Sequence, residues 1–238
     1  WCCCYSLEVV REDNLPIPFF IHCDDIEYGM RNADRSIVFI NGIGAWHRGF
    51  DLTLSGTNIY YDIRNRMITQ GLEHLKGERK RAKIYVWKML TSMLFRYRYQ
   101  DAELVKQGTE DFLEGPQWLL ATDADRYNGI IREKAHQIQT MEMMQQQMSQ
   151  KEIEAFEAQY QEYMKDFQEK ILFGDRTIRR WKFLWKLATM NGWIFPHDSS
   201  PIAGISAMDM PLAGYRKKKL LLFEPFTRKG MLLQKSYR

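Results

Sequence analysis

The sequence predicts an α/β region followed by a mostly α-helical one. Three observations carry this: short apolar runs bounded by Pro, Gly and Asp before residue 50, a 3.6-residue periodicity from residue 58, and a polar run free of Gly and Pro between residues 133 and 172. The divisions fall at 1–56 for the α/β part, 57–192 for a helical domain and 193–238 for a closing segment of loops and a strand hairpin.

The elements follow in order. "YSLEVVRED" (5–13) places Leu7, Val9 and Val10 on one helical face, and "NLPIPFFIHC" (14–23) breaks at its prolines and enters an apolar, aromatic strand. "DDIEYGMRN" (24–32) reads as a short helix with an acidic first turn, which suits the positive end of the helix dipole. "SIVFIN" (36–41) is a second buried strand and "GIGAWHRGF" (42–50) a glycine-rich loop. "NIYYDIRNRMITQGL" (58–72) and "KRAKIYVWKMLTSMLFRYRYQDAELV" (80–105) carry helical spacing, and "GPQW" (115–118) breaks it. The run from 133 to 172 reads as a solvated helical hairpin with a methionine seam at residues 141–148. "DRTIRRWKFLWKLATMNGW" (175–193) resumes a basic amphipathic helix with Asp175 as its N-cap, and "KKKLLLFEPFTRKGMLLQKS" (217–236) reads as two short strands.

Composition narrows the function classes. A chain of 238 residues with 45% hydrophobic content can bury a sizeable core. A net charge of +4 from 34 basic and 30 acidic residues is too balanced to make nucleic acid the main partner. No apolar run reaches the roughly 18 residues that would span a bilayer. Cys2, Cys3 and Cys4 are consecutive and Cys23 stands alone; no CxxC spacing points to zinc, so a reducing, cytoplasmic setting is expected. The chain starts at Trp1 with neither an initiator methionine nor a leader, and is therefore expected to be a piece of a longer protein.

The carboxylates Asp24, Asp25 and Glu27 raise the functional question. One acidic residue at a helix start is an ordinary cap, but a pair is more than a cap requires. In an α/β sheet the carboxyl ends of strands share one rim, so Asp25 could face His47 across a pocket. A carboxylate there serves as a general base and a histidine as a metal ligand; spacing alone leaves this reading and a structural one both open.

The order "W…C-Y…PIPFFI-x-x-DD-x-E-x-G-x-R…NGIGAWH…YY-x-x-RN", from Trp1 to about Asn65, resembles the carboxyl-terminal part of family 2 glycosyltransferases, most closely bacterial galactofuranosyltransferases. The resemblance implies part of an A-type glycosyltransferase fold with a helical carboxyl-terminal domain, and an inverting reaction. It implies that Asp25 is the catalytic base and that Trp1, Asp24 and Glu27 shape the acceptor pocket. His47 is implied as the ligand of Mn²⁺ or Mg²⁺, with Trp46, Tyr60, Tyr61, Arg64 and Asn65 in support; Tyr60 and Arg64 at i, i+4 share a helix face. The implied partners are a UDP-sugar donor and a glycan or glycolipid acceptor. The Asp-x-Asp nucleotide-binding half that should precede these residues is missing. Asp123 and Asp125 in "LLATDADRYN" (119–128) lie on the wrong side of the base and suit a turn.

Basic segments interleaved with Trp, Tyr and Phe, including Arg179, Arg180, Trp181, Lys182, Trp185 and Lys186, fit either a core-facing stripe or a peripheral contact at the inner face of the plasma membrane. Two other classes stay open: a helical interaction module with a vestigial catalytic piece, and a metal-dependent hydrolase using Asp24, Asp25 and His47.

Overall fold

A computed structural model describes residues 3–34, 38, 40–42, 44, 53–72, 77–165, 167, 180–207 and 209–236. The chain divides into two compact units: Trp1–Arg48, Gly56–Leu90 and Gln100–Ala135 form the first, and Gly49–Ser55, Thr91–Tyr99 and His136–Arg238 the second.

The first unit is helical among its described residues. It holds α1 (Asp24–Arg31), α2 (Gly56–Leu72), the larger part of α3 (Glu78–Phe95), nearly all of α4 (Tyr99–Leu113), α5 (Pro116–Ala121) and α6 (Ala124–Lys134). Local chemistry sets several ends. Gly115 at φ 88° turns the chain and Pro116 opens α5, where its missing N–H is no loss. Asp123 caps α6 by accepting from the Arg126 amide at 3.0 Å, the turn role its sequence context suits. The core gathers Tyr60, Tyr61, Leu104, Ile131 and Ala135 from α2, α4 and the end of α6. Glycine makes the contact between α2 and α4 close: a Cβ on Gly108 would lie 2.9 Å from the Tyr60 carbonyl oxygen.

The second unit is organised by a three-stranded sheet in the order β1 (Ala203–Ser206), β2 (Lys219–Phe223), β3 (Gly230–Gln234). β1 runs parallel to β2 with Ala203 beside Leu220, and β2 and β3 are antiparallel with Leu222 beside Met231. Residues alternate between faces, so Leu220, Leu222, Met231 and Leu233 join Leu54, Tyr97, Ala203 and Ile205 on one side. Leu221 and Phe223 join Met141, Met144, Phe156, Tyr160 and Ile202 on the other. The helices α7 (Met141–Gln145), α8 (Gln150–Lys165) and α9 (Arg180–Ala188), a 3₁₀ turn at Pro211–Gly214 and the end of α3 are further described elements of this unit.

The structure departs from the sequence expectations at four places. Residues 5–13 form a turn and a single 3₁₀ turn at Glu12–Asn14 rather than an α-helix, with Val9 buried and Leu7 87% exposed. Residues 14–23 do not form a strand: Phe20, His22 and Cys23 take φ values of 74°, 67° and 68°, which extended pairing does not accommodate. The run from 133 onward is broken into α6, α7 and α8. Gln139 bridges to Gly230 with amide–carbonyl distances of 2.8 and 2.9 Å, and the Thr140 hydroxyl caps α7. Ser149 precedes α8 with its amide and hydroxyl both bonded to Glu152. Hydroxyl side chains at 140 and 149 offer the backbone an alternative to continued helix. The methionine seam is thus core: Met141 and Met144 cover one face of the sheet. Of the expected strand at 36–41, the described residues Val38, Ile40 and Asn41 lie outside any strand, and the remainder lies outside the described residues, as do Asp175 and most of the glycine-rich loop.

Candidate functional site

The acidic turn at the start of α1 follows a segment bonded by side chains of α2, which are anchored in turn on α4 and α6, all in the first unit. The segment leading into it contains three non-glycine residues with left-handed backbone, Phe20, His22 and Cys23. Each such residue costs about 1–3 kcal/mol and persists only where its surroundings over-determine it.

Two adjacent residues of α2 supply that hold. Asn65 Nδ2 lies 3.2, 2.6 and 2.9 Å from the carbonyl oxygens of Phe19, Ile21 and His22. Arg64 Nη2 donates to the same Phe19 oxygen at 2.8 Å, and Arg64 Nε donates to Asn65 Oδ1 at 2.8 Å, which aims the amide nitrogen at the loop. Phe20 stacks on Tyr61 with ring centres 5.4 Å apart, and the Arg64 guanidinium lies 5.3 and 5.1 Å from the centres of the Tyr60 and Tyr61 rings.

The guanidinium is anchored in turn. Arg64 Nη1 donates to the Tyr60 hydroxyl at 3.3 Å, and that hydroxyl donates to Asp111 Oδ2 at 2.6 Å. Tyr127 donates to the same oxygen at 2.7 Å, and Gln107 Nε2 to Asp111 Oδ1 at 2.8 Å. Arg64, Asn65, Tyr60 and Asp111 are all buried. A cation and an anion are therefore removed from water together and joined through a phenol, an arrangement in which each buried charge keeps its partners. Burial, opposed by Arg64 and reinforced by the bond to Asp111, pushes the Tyr60 hydroxyl well above its ordinary 10.0. Burial and the bond to Asp111 raise Tyr127 in the same direction, so both phenols remain hydrogen-bond donors at neutral pH.

Above this base, the two aspartates face solvent. Asp24 and Asp25 are exposed, and Asp25 Oδ1 accepts from the Ile26 amide at 2.9 Å. Glu27 differs from the expectation of an open acceptor contact. It is buried, and Arg31 grips both its oxygens at 2.8 and 3.1 Å while also donating to Asn14 Oδ1 at 2.9 Å and to the Leu15 carbonyl at 3.0 Å. This fork ties α1 to the segment before the loop.

The structure thus brings Asp24, Asp25, Glu27, Tyr60, Tyr61, Arg64 and Asn65 into one unit. Trp1, Trp46 and His47 lie outside the described residues. Among the described residues no group of three or more His, Cys, Asp and Glu gathers in a way that could hold a metal ion. Asp111, Gln107 and Tyr127 escaped the sequence reading, although a signal existed. Leu104, Gly108 and Asp111 follow i, i+4, i+7 spacing, which puts a carboxylate on the buried stripe of α4.

In the basic segment, α9 turns part of its polar chemistry inward. Lys186 donates to the Leu212 carbonyl at 3.1 Å and lies 5.6 Å from the centre of the Tyr215 ring, and Trp185 donates to the Tyr215 hydroxyl at 3.0 Å. Burial, with Lys182 nearby, lowers the pKa of Lys186. Among the described residues no helix is long and apolar enough to cross a membrane.

Two curated proteins are similar to the chain over about half its length. The galactofuranosyltransferase GlfT2 of Mycolicibacterium smegmatis is 27% identical over 125 residues, which is 51% of this chain and 19% of the relative. The galactofuranosyltransferase GlfT2 of Mycobacterium tuberculosis is 26% identical over 128 residues, 51% of this chain and 20% of the relative. The matched region therefore spans about a fifth of the length of these curated relatives. No family model and no solved structure matches the chain.

Proposed function

We propose that this chain carries the acceptor side of an inverting glycosyltransferase that moves a galactofuranose-like sugar from a UDP-sugar to a hydroxyl of a growing, lipid-linked polysaccharide. Asp25 is the general base: its carboxylate takes the proton of the acceptor hydroxyl as that oxygen bonds to the anomeric carbon, and the nucleoside diphosphate departs with the electrons of the broken C–O bond. The observation that carries the reading is the exposed Asp24–Asp25 pair at the start of α1, directly after a strained loop that buried side chains hold. The similarity to two galactofuranosyltransferases supports it. A base on a rigid support meets its substrate without a further ordering cost, which is what proximity catalysis requires.

Membership of family 2, the A-type fold, the role of Mn²⁺ or Mg²⁺ at His47, and work at the cytoplasmic face of the membrane belong to the same proposal. The ion, when bound, would offset charge on the departing diphosphate; among the described residues no group of His, Cys, Asp and Glu gathers to hold it. The donor's phosphates are to be met by a nucleotide-binding half outside this chain.

The test is Asp25→Asn in the full-length enzyme. Turnover is expected to fall at least the ~10²-fold that loss of a general base produces, with donor affinity retained. Near-normal turnover would remove Asp25 from the mechanism.

A further inference from the structure

We infer that Asn65 and Asp111 are positioning residues, which together hold residues 19–23 in the strained conformation that presents Asp25. The inference rests on the reading of Asp25 above and adds what fixes it. In a strand, successive carbonyls point in opposite directions, so no single donor can serve three of them within four residues. Here the left-handed backbone at Phe20 and His22 turns the carbonyls of Phe19, Ile21 and His22 toward one nitrogen, Asn65 Nδ2.

A polar cluster that merely stabilised helix packing would close on itself among the helices. This one runs outward instead, from Asp111 on α4 through the Tyr60 hydroxyl to Arg64, and from Arg64 both to Asn65 Oδ1 and to the Phe19 carbonyl. Asp111 also collects Tyr127 from α6 and Gln107 one turn back on α4, so three donors fix its carboxylate. Asp111 sets the Arg64 guanidinium, the guanidinium sets the Asn65 amide, and the amide sets the loop. Neither Asn65 nor Asp111 has to touch substrate for this.

Cys23 supplies a built-in reporter. It is buried, ends the strained segment and immediately precedes Asp24. With Cys2, Cys3 and Cys4 replaced by serine, it is the remaining thiol of the 238-residue chain. Its maleimide labelling rate then reads opening of the loop. The variants are Asn65→Asp, which exchanges the amide donor for a carboxylate at constant shape, and Tyr60→Phe, which removes one oxygen from the relay. The control is Tyr97→Phe in the other unit, which loses a buried hydroxyl bonded to the Lys217 carbonyl at 2.6 Å.

Labelling is expected to quicken about tenfold in Asn65→Asp, which loses the amide bonds to three loop carbonyls and turns a carboxylate toward them, and by a smaller factor in Tyr60→Phe, whose lost bonds to Arg64 and Asp111 reach the loop only through the guanidinium. It should stay at the parent rate in Tyr97→Phe, with far-UV circular dichroism alike in all four chains. In the full-length enzyme Tyr60→Phe should lower kcat and leave the donor KM unchanged. Asp111→Glu, which keeps the carboxylate, should stay closer to the slow parent rate than Asp111→Asn. Equal labelling in Tyr60→Phe and Tyr97→Phe, with Asn65→Asp no faster, overturns the inference. Fast labelling in Asn65→Asp and Tyr60→Phe alongside an Asp25→Asn enzyme that still turns over would leave the hold on residues 19–23 standing and overturn the role of Asp25 alone.

Discussion

Replacing Gly108 by alanine sets helix propensity against close packing, and the geometry decides which wins. In an exposed helix interior Gly→Ala stabilises by about 1 kcal/mol, because alanine loses less backbone entropy. At Gly108 the new methyl would sit 2.9 Å from the Tyr60 carbonyl oxygen and 3.3 Å from Ile63 Cγ2. The first of these is backbone within α2 and cannot swing aside. Forcing a methyl into such a contact costs about 1–3 kcal/mol, so the expected net is a destabilisation of roughly 1 kcal/mol. Gly129, exposed on α6, provides the internal control, since a Cβ there meets nothing within 4 Å. Gly129→Ala should therefore gain about 1 kcal/mol, which separates the two variants by roughly 2 kcal/mol. Urea unfolding followed by far-UV circular dichroism measures this. With a slope of about 2 kcal/mol/M the two midpoints should differ by about 1 M, Gly108→Ala below the parent and Gly129→Ala above it. A Gly108→Ala chain at least as stable as the parent would refute the claim that α2 and α4 approach through this glycine. Because Asp111 lies one turn further along α4, the same displacement should quicken Cys23 labelling.

Three further outcomes are expected. Glu27→Gln should lower stability by about 1.5–3 kcal/mol in thermal unfolding, because charge-assisted bonds to Arg31 become neutral ones in a buried setting. A change within a few tenths of a kcal/mol would show the fork to be idle. Burial, with Asp62 adding and Arg66 opposing, pushes the Cys23 thiol from its ordinary 9.0 up to about 11. The folded state therefore favours the protonated thiol, and its contribution to stability is complete below pH 9 and lost as pH rises through 11. Midpoints of parent and Cys23→Ser measured across that window should converge at the alkaline end, and parallel curves would contradict the shift. Flotation on anionic liposomes should occur at low salt and fade at high salt, where the Debye length falls from roughly 10 Å at 0.1 M to about 3 Å at 1 M. Replacing Arg179, Arg180, Lys182 and Lys186 by glutamine should abolish it, and equal flotation of both chains would assign this helix to packing.

Several elements were legible because their determinants are local. The acidic start of α1, the span of α2, the break at Gly115 and Pro116, and the β2–β3 hairpin each follow from nearby spacing, turn chemistry or charge. The pairing of Tyr60 with Arg64 at i, i+4 on one face of α2 is of the same kind, and their side chains meet at 3.3 Å. β1 was not legible: "AGIS" is too short and too small to announce a strand, and only pairing with Leu220–Phe223 makes it one.

The sequence by itself determined where the acidic turn lies and which residues of α2 stand one turn apart, since both depend on neighbours along the chain. Tertiary structure alone decided what residues 14–23 become. "PIPFFI" has the composition of a strand, yet its proline residues lack backbone donors, and the carbonyls of Phe19, Ile21 and His22 find their donor on Asn65, more than forty residues away. Tertiary structure also decided the place of Asp111, whose meaning comes from Tyr60 on α2 and Tyr127 on α6. A buried carboxylate is specified by the donors that converge on it in space, and that convergence has no period along the chain.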